Sequence, residues 1–139
     1  MTVSTMLSLL SEGFVTSLLI FVLTLLFSMP LGLAVMFGRR SRLTPLRGFI
    51  KAYISIMRGT PLMLQLMVVF YGPKLLLGVT VPGNWRFTAV IVAFVINYAA
   101  YFAEIYRGGI ESIPRGQYEA AQVLGYTKAQ TFFKIILPQ

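Results

Sequence analysis

A chain of 139 residues that is 57% hydrophobic, only 12% charged and has a mean hydropathy of +0.78 is too apolar for an ordinary water-soluble domain, which carries about a quarter charged residues. Lipid is therefore the expected solvent for much of it. The net charge of +8 could suit nucleic acid or an anionic membrane surface, but the basic residues lie in the gaps between long apolar runs and so report topology. Cysteine and histidine are both absent and the four carboxylates are scattered, which removes disulfides, thiol and imidazole chemistry and the usual zinc and haem ligand sets, so no metal site and no catalytic residue is expected.

No charged residue falls between Gly13 and Gly38. At about 1.5 Å per helical residue this run crosses a hydrocarbon core of about 30 Å, and residues 14–37 are expected as span one. A cleaved signal would carry its basic residues first. Here Arg39, Arg40 and Arg42 follow the apolar run, as in a retained helix with its N-terminus outside.

Leu46, Phe49, Ile50, Tyr53, Ile54 and Met57 recur at helical spacing, with Arg47, Lys51, Ser55 and Arg58 on another face. This reads as an amphipathic helix at the cytoplasmic interface. Through Arg58, Gly59, Thr60 and Pro61 it leads into the apolar run Leu62–Tyr71, and one Pro-bent helix over 46–71 is expected as span two. Gly72-Pro73 and Pro82-Gly83-Asn84 punctuate an exposed connection, with Trp85 at the membrane interface. Span three is expected over 87–106, with Ala89, Ala93, Ala99, Ala100 and Ala103 as small surfaces for helix packing. On this layout ten Lys and Arg lie on one side and two, Lys74 and Arg86, on the other. The excess marks the cytoplasm, so the chain is a multi-pass protein with its tail from Arg107 inside. The fold class is all-α: three membrane helices in one domain, followed by a cytoplasmic loop over 107–139.

That loop has readable punctuation. Pro114 and Gly116 are expected to break the outgoing helix, and Gln117–Leu124 to form a short helix with Glu119 in its first turn. Gly125 sits where helices end in the left-handed conformation. Thr127 with Gln130 makes a capping box for a second helix, Lys128–Leu137, stopped by Pro138. Tyr118, Ala121 and Leu124 are expected to stay partly unburied, which calls for a protein partner.

Glu119-Ala120-Ala121, three residues, Gly125, nine residues and Ile135-Ile136-Leu137-Pro138 resemble the EAA loop of permeases from bacterial ATP-binding-cassette importers. Arg58-Gly59-Thr60-Pro61-Leu62 with Gln65, and Ala103 through Ile110, resemble the polar amino-acid branch of that family, the histidine and glutamine type. The resemblance implies a permease subunit in the bacterial inner membrane that pairs with a like or related permease and sits on two ATPase subunits. Tyr118, Glu119, Ala120, Ala121 and Gly125 would couple it to the ATPase, and a solute-binding protein would deliver an amino acid from outside. ATP and magnesium would belong to the ATPase, with no cofactor on this chain and no enzymatic or nucleic-acid role. Family members continue with further spans, so a chain stopping at Gln139 is expected to be a fragment or an incomplete reading frame.

Other polar residues carry two readings each. Glu104 is a functional intramembrane acid or a structural partner of Arg107 three residues on, and the pairing is preferred. Asn97, Tyr98 and Tyr101 line a substrate route or bond between helices, and the second is preferred. Gln65 faces the route or bonds across the permease pair. The methionines at 57, 63 and 67 are packing or lipid-facing residues. Arg107-Gly108-Gly109 lacks the lysine and spacing of a phosphate-binding loop. A small channel or intramembrane enzyme would need a polar stripe that spans one and two lack, and a membrane anchor for a soluble partner is the remaining rival.

Overall fold

A computed structural model describes residues 2–139. It is helical throughout, with no strand among the described residues. The helices are α1 (Val3–Arg39), α2 (Thr44–Gly59), α3 (Leu62–Leu77), α4 (Trp85–Glu111), α5 (Arg115–Val123) and α6 (Lys128–Thr131), the last running into a π-helical turn, Phe132–Ile136. Two compact units result, one ending at Ala103 and one covering Glu104–Gln139.

In the first unit, α1 and α4 are each long and apolar enough to cross a membrane, and the bent pair α2–α3 adds a third candidate. The Thr2 hydroxyl accepts from the Thr5 amide and starts α1 ten residues ahead of the charge-free run. Thr24, Ser28, Gly32 and Met36, four apart, form its buried stripe. All five alanines singled out on α4 are buried, together with Asn97. A Cβ on Gly32 would stand 2.7 Å from the Phe102 Cβ and 3.0 Å from the Ala99 carbonyl oxygen. The two backbones approach so closely that only glycine fits, as small residues allow between membrane helices. A side chain on Gly38 would likewise meet Ile50, where α2 packs on α1. Tyr53 then donates its hydroxyl proton to the Ile96 carbonyl, joining α2 to α4.

Span two departs from expectation. Instead of one bent helix over 46–71 there are two helices meeting at 110°, α2 and α3. The cause is local: proline disfavours helical geometry in the residue before it, and Thr60 is extended at φ −117°, ψ 149°. Gly72-Pro73 is also not a connection, because α3 continues through both to Leu77 and ends only at Gly78, at φ +63°. The link to α4 is therefore Gly78–Asn84, closed by the Trp85 indole N–H, which donates to the Phe70 carbonyl at 3.0 Å. Span three keeps its expected core but lengthens to Trp85–Glu111. Most large apolar side chains of α1 and α3 are exposed, as lipid-facing surfaces would be.

Candidate functional site

The second unit begins on the last turns of α4. Arg107 donates to Glu104 at 2.8 Å and, through its other terminal nitrogen, to Glu111 at 2.8 Å. The preferred pairing of Glu104 with Arg107 is thus present, and it is half of a three-residue ladder. Glu111 was missed, although its position four residues after Arg107 on the same helix signals it. Glu104 is the better sheltered carboxylate, so its contact is the less screened of the two.

After Pro114 the chain turns directly into α5, which begins at Arg115, two residues earlier than expected. Pro114 supplies a fixed φ of −58° at the cap. Two expectations fall with this start. Gly116 lies inside the first turn and breaks nothing, and Glu119 is a full turn further on, without a dipole-capping role. Its carboxylate instead faces Arg115 at 3.4 Å, an exposed contact that stabilises little.

The end of α5 follows the expected design. Gly125 takes φ +79°, the Tyr126 amide returns to the Ala121 carbonyl at 3.0 Å, and the Gly125 amide to Gln122 at 3.1 Å. These two bonds are the Schellman pattern, which needs a residue free to adopt positive φ. The capping box is also formed, with the Gln130 amide donating to Thr127 Oγ1 at 3.2 Å and the Thr127 amide to Gln130 Oε1 at 2.9 Å. The second helix covers most of its expected length but widens after Thr131 into the π turn, whose bond runs from the Leu137 amide to the Phe132 carbonyl at 2.8 Å.

α5 packs on α6 and on the π turn. Ala121 is fully buried, against the expectation that it stays partly open. With no bulk beyond Cβ, it lets the following helix lie close, while Thr131 and Ile136 are the buried residues of that helix. Outward, Leu124 is 71% and Val123 86% exposed, and Tyr118 is also exposed, as are Glu119 and Ala120. Beneath the end of α4, Ile110, Pro114, Ile136 and Leu137 help line an apolar groove of about 460 Å³. Among the described residues no group of His, Cys, Asp or Glu could hold a metal ion.

The residues considered for a substrate route lie in the first unit and do not form one cluster. Asn97 is 4% exposed, and its Oδ1 has no hydrogen-bond partner. Tyr98 and Tyr101 are exposed with ring centres 6.2 Å apart, and the Arg58 guanidinium stands 5.8 Å from the Tyr101 ring centre. Tyr98 also lines an apolar groove of about 470 Å³ with Phe21, Thr24, Phe94 and Phe102. The hydroxyls of Thr24 and Ser28 are buried and unpartnered like Asn97 Oδ1. Sequence reasoning passed over both, although their four-residue spacing with Gly32 marks one helix face.

Gln65 has a role that neither sequence reading contained. Pro61 cannot donate to the carbonyl four residues back, that of Met57. The Gln65 side-chain amide donates there instead at 3.0 Å, and also reaches Thr60 Oγ1 at 2.7 Å and the Thr60 carbonyl at 3.3 Å. Thr60 and Pro61 with Gln65 therefore build the break between α2 and α3, and Arg58 and Gly59 form the last turn of α2 before it.

Residues 28–139 match the family described as the binding-protein-dependent transport system inner membrane component. The chain belongs to this family. Among its permease relatives are the L-cystine transport system permease protein TcyB of Bacillus subtilis, 39% identical over 94% of this chain and 54% of that one, and the arginine transport system permease protein ArtQ of the same organism, 38% identical over 92% and 57%. The putative glutamine transport system permease protein GlnP of Rickettsia conorii is 34% identical over 92% and 57%. The chain spans about half the length of the curated relatives it matches. A crystal structure of an amino acid ABC transporter with histidines superposes with a TM-score of 0.83 at 34% identity, covering all of this chain and 65% of that one. The all-α permease fold expected from the sequence is thus the fold of this family.

Proposed function

We propose that this permease chain forms part of the membrane pathway of an ATP-driven importer for polar amino acids, and that α5 is the helix that meets the ATPase. The observation that carries the reading is the turn at Gly125: the Schellman bonds and the capping box fix α5 against the following helix while Val123 and Leu124 stay uncovered. A short helix held at its C-terminal turn, with Val123 and Leu124 as apolar contacts on its exposed surface, suits insertion into a groove on a partner. ATP and magnesium are assigned to two ATPase subunits, delivery of substrate to a solute-binding protein on the outer side, and completion of the pathway to a second permease, identical or related. The similar permeases are named for cystine, arginine and glutamine, which supports the class of substrate and leaves its identity to experiment. The location assigned is the bacterial inner membrane, with the N-terminus outside.

The test uses the absence of cysteine from these 139 residues. Val123→Cys in the full transporter should crosslink to a groove cysteine of the ATPase, while Ser11→Cys should not crosslink. Uptake of labelled amino acids into vesicles that hold ATPase, permease pair and binding protein should require all three. Binding of the ATPase without uptake would leave only an anchor, and absence of the Val123 crosslink would remove α5 from the interface.

A further inference from the structure

The exposed surface of α2 divides into two chemically different sectors, and the helix is not explained by its packing alone. At about 100° per residue, Ile50, Tyr53, Ile54 and Met57 fall on the side that is buried or half-buried. Arg47 and Lys51 lie on one flank of it, and Phe49 and Ile56 on the opposite side, 75% and 57% exposed. Packing on α1 and α4 leaves this second apolar sector uncovered.

We propose that α2 is a binding surface for anionic phospholipid, with Phe49 and Ile56 entering the acyl region and Arg40, Arg42, Arg47 and Lys51 holding the headgroups. Charge complementarity selects this occupant. Six basic residues fall between Arg39 and Arg58, and no carboxylate occurs anywhere from Gly13 to Ala103. Among the described residues those four cations have no ion pair. The 110° bend supports the placement: if α3 runs across the bilayer, α2 is turned well away from the bilayer normal, with its first turns at the end of α1, where Ile50 meets Gly38, and Tyr53 reaching inward to the Ile96 carbonyl, as suits an interfacial helix with apolar and basic sides. Arg40 and Arg42, in the short link between α1 and α2, then stand at the same level.

The proposal rests on the reading that α1 and α4 cross a bilayer, and the test separates the two. The full chain carrying Phe49→Cys, labelled with an environment-sensitive fluorophore, is placed in vesicles of phosphatidylcholine with increasing phosphatidylglycerol, and quenching by acyl-chain spin labels is measured. Val22→Cys on the exposed face of α1 is the control. Quenching at 49 should rise with the phosphatidylglycerol fraction. Each basic residue near such a surface changes partition by about fivefold, so Arg47→Gln with Lys51→Gln should raise the half-maximal fraction severalfold. High salt should do the same. Equal quenching at 49 in phosphatidylcholine alone, unchanged by the double substitution, overturns headgroup recognition. Quenching at 22 with none at 49 in any lipid overturns the proposal in favour of a protein partner on this face. No quenching at either position overturns the membrane reading with it.

Discussion

Replacing Gly125 by valine should uncouple the loop from the proposed ATPase while leaving the membrane helices intact. A Cβ built on Gly125 meets nothing within 4 Å, so the cost is one of backbone conformation and not of crowding. At φ +79° an L-residue with a side chain is disfavoured by about 1–2 kcal/mol, with a β-branched residue at the upper end. That is a factor of roughly 5 to 30 in the population of the turn. The chain escapes the strain only by abandoning positive φ, which breaks the two hydrogen bonds donated by the Tyr126 and Gly125 amides and moves the Thr127 cap that starts α6. Asparagine tolerates the left-handed region, so the order of effect should be Gly, Asn, Ala, Val. The assay compares co-purified ATPase and substrate-stimulated ATP hydrolysis across the series in the full transporter, at matched membrane levels. Both should fall together. Full retention of both by Gly125→Val would refute the role of this turn in coupling, and an equal loss for Asn and Val would show that something other than φ is at stake.

Gly32→Leu should lower thermal stability in detergent by about 1–3 kcal/mol, because its side chain would collide with Phe102 and the Ala99 carbonyl; Gly13→Ala, with open space around it inside the same helix, should cause no loss, and a stable Gly32→Leu protein would disprove the close approach of α1 and α4. Gln65→Leu should destabilise by about 1–3 kcal/mol by stripping the donor from the Met57 and Thr60 carbonyls. Adding Pro61→Ala restores a backbone N–H and should recover part of the loss while opening the α2–α3 angle, read as a longer distance between spin labels at positions 51 and 68. Cysteines at Ser11 and Gly83 should react with an impermeant reagent in intact cells whose outer surface is accessible, and one at Ser41 should not; labelling of Ser41 without Ser11 would reverse the topology.

What the sequence revealed follows the range of each physical signal. Apolar length and charge position located α1 and α4, and the close packing of the alanines followed from residue size alone. Gly125 and the Thr127–Gln130 box were legible because capping is local chemistry with fixed spacing. The α2–α3 corner was not, since a proline announces a break without its angle, and the angle depends on which group replaces the missing N–H. Gln65 does so from four residues away, which a reading of it as a lone polar side chain in an apolar run could not reveal. Pro73 misled in the opposite direction, marking an end where α3 continues. Ala121 was misjudged because burial of a small residue depends on how the next helix folds back, a tertiary fact. Glu111 required only the arithmetic of one helical turn from Arg107.

The π turn gives the distance between Gly125 and the Ile135-Ile136-Leu137-Pro138 segment a meaning beyond counting. Five residues in a π turn advance around the axis about as far as four in an α-helix. Thr131 and Ile136, five apart, can thereby share one buried side, which an ordinary α-helix would not allow. The spacing of nine residues is thus a length measured partly along a wider coil, equivalent to eight along a narrow one. Deleting one residue among 132–134 would tighten the turn to an α-helix and bring the same isoleucine back to its place. A gap at this point in a relative would therefore be silent for packing, whereas an isoleucine-to-polar change at 136 would not.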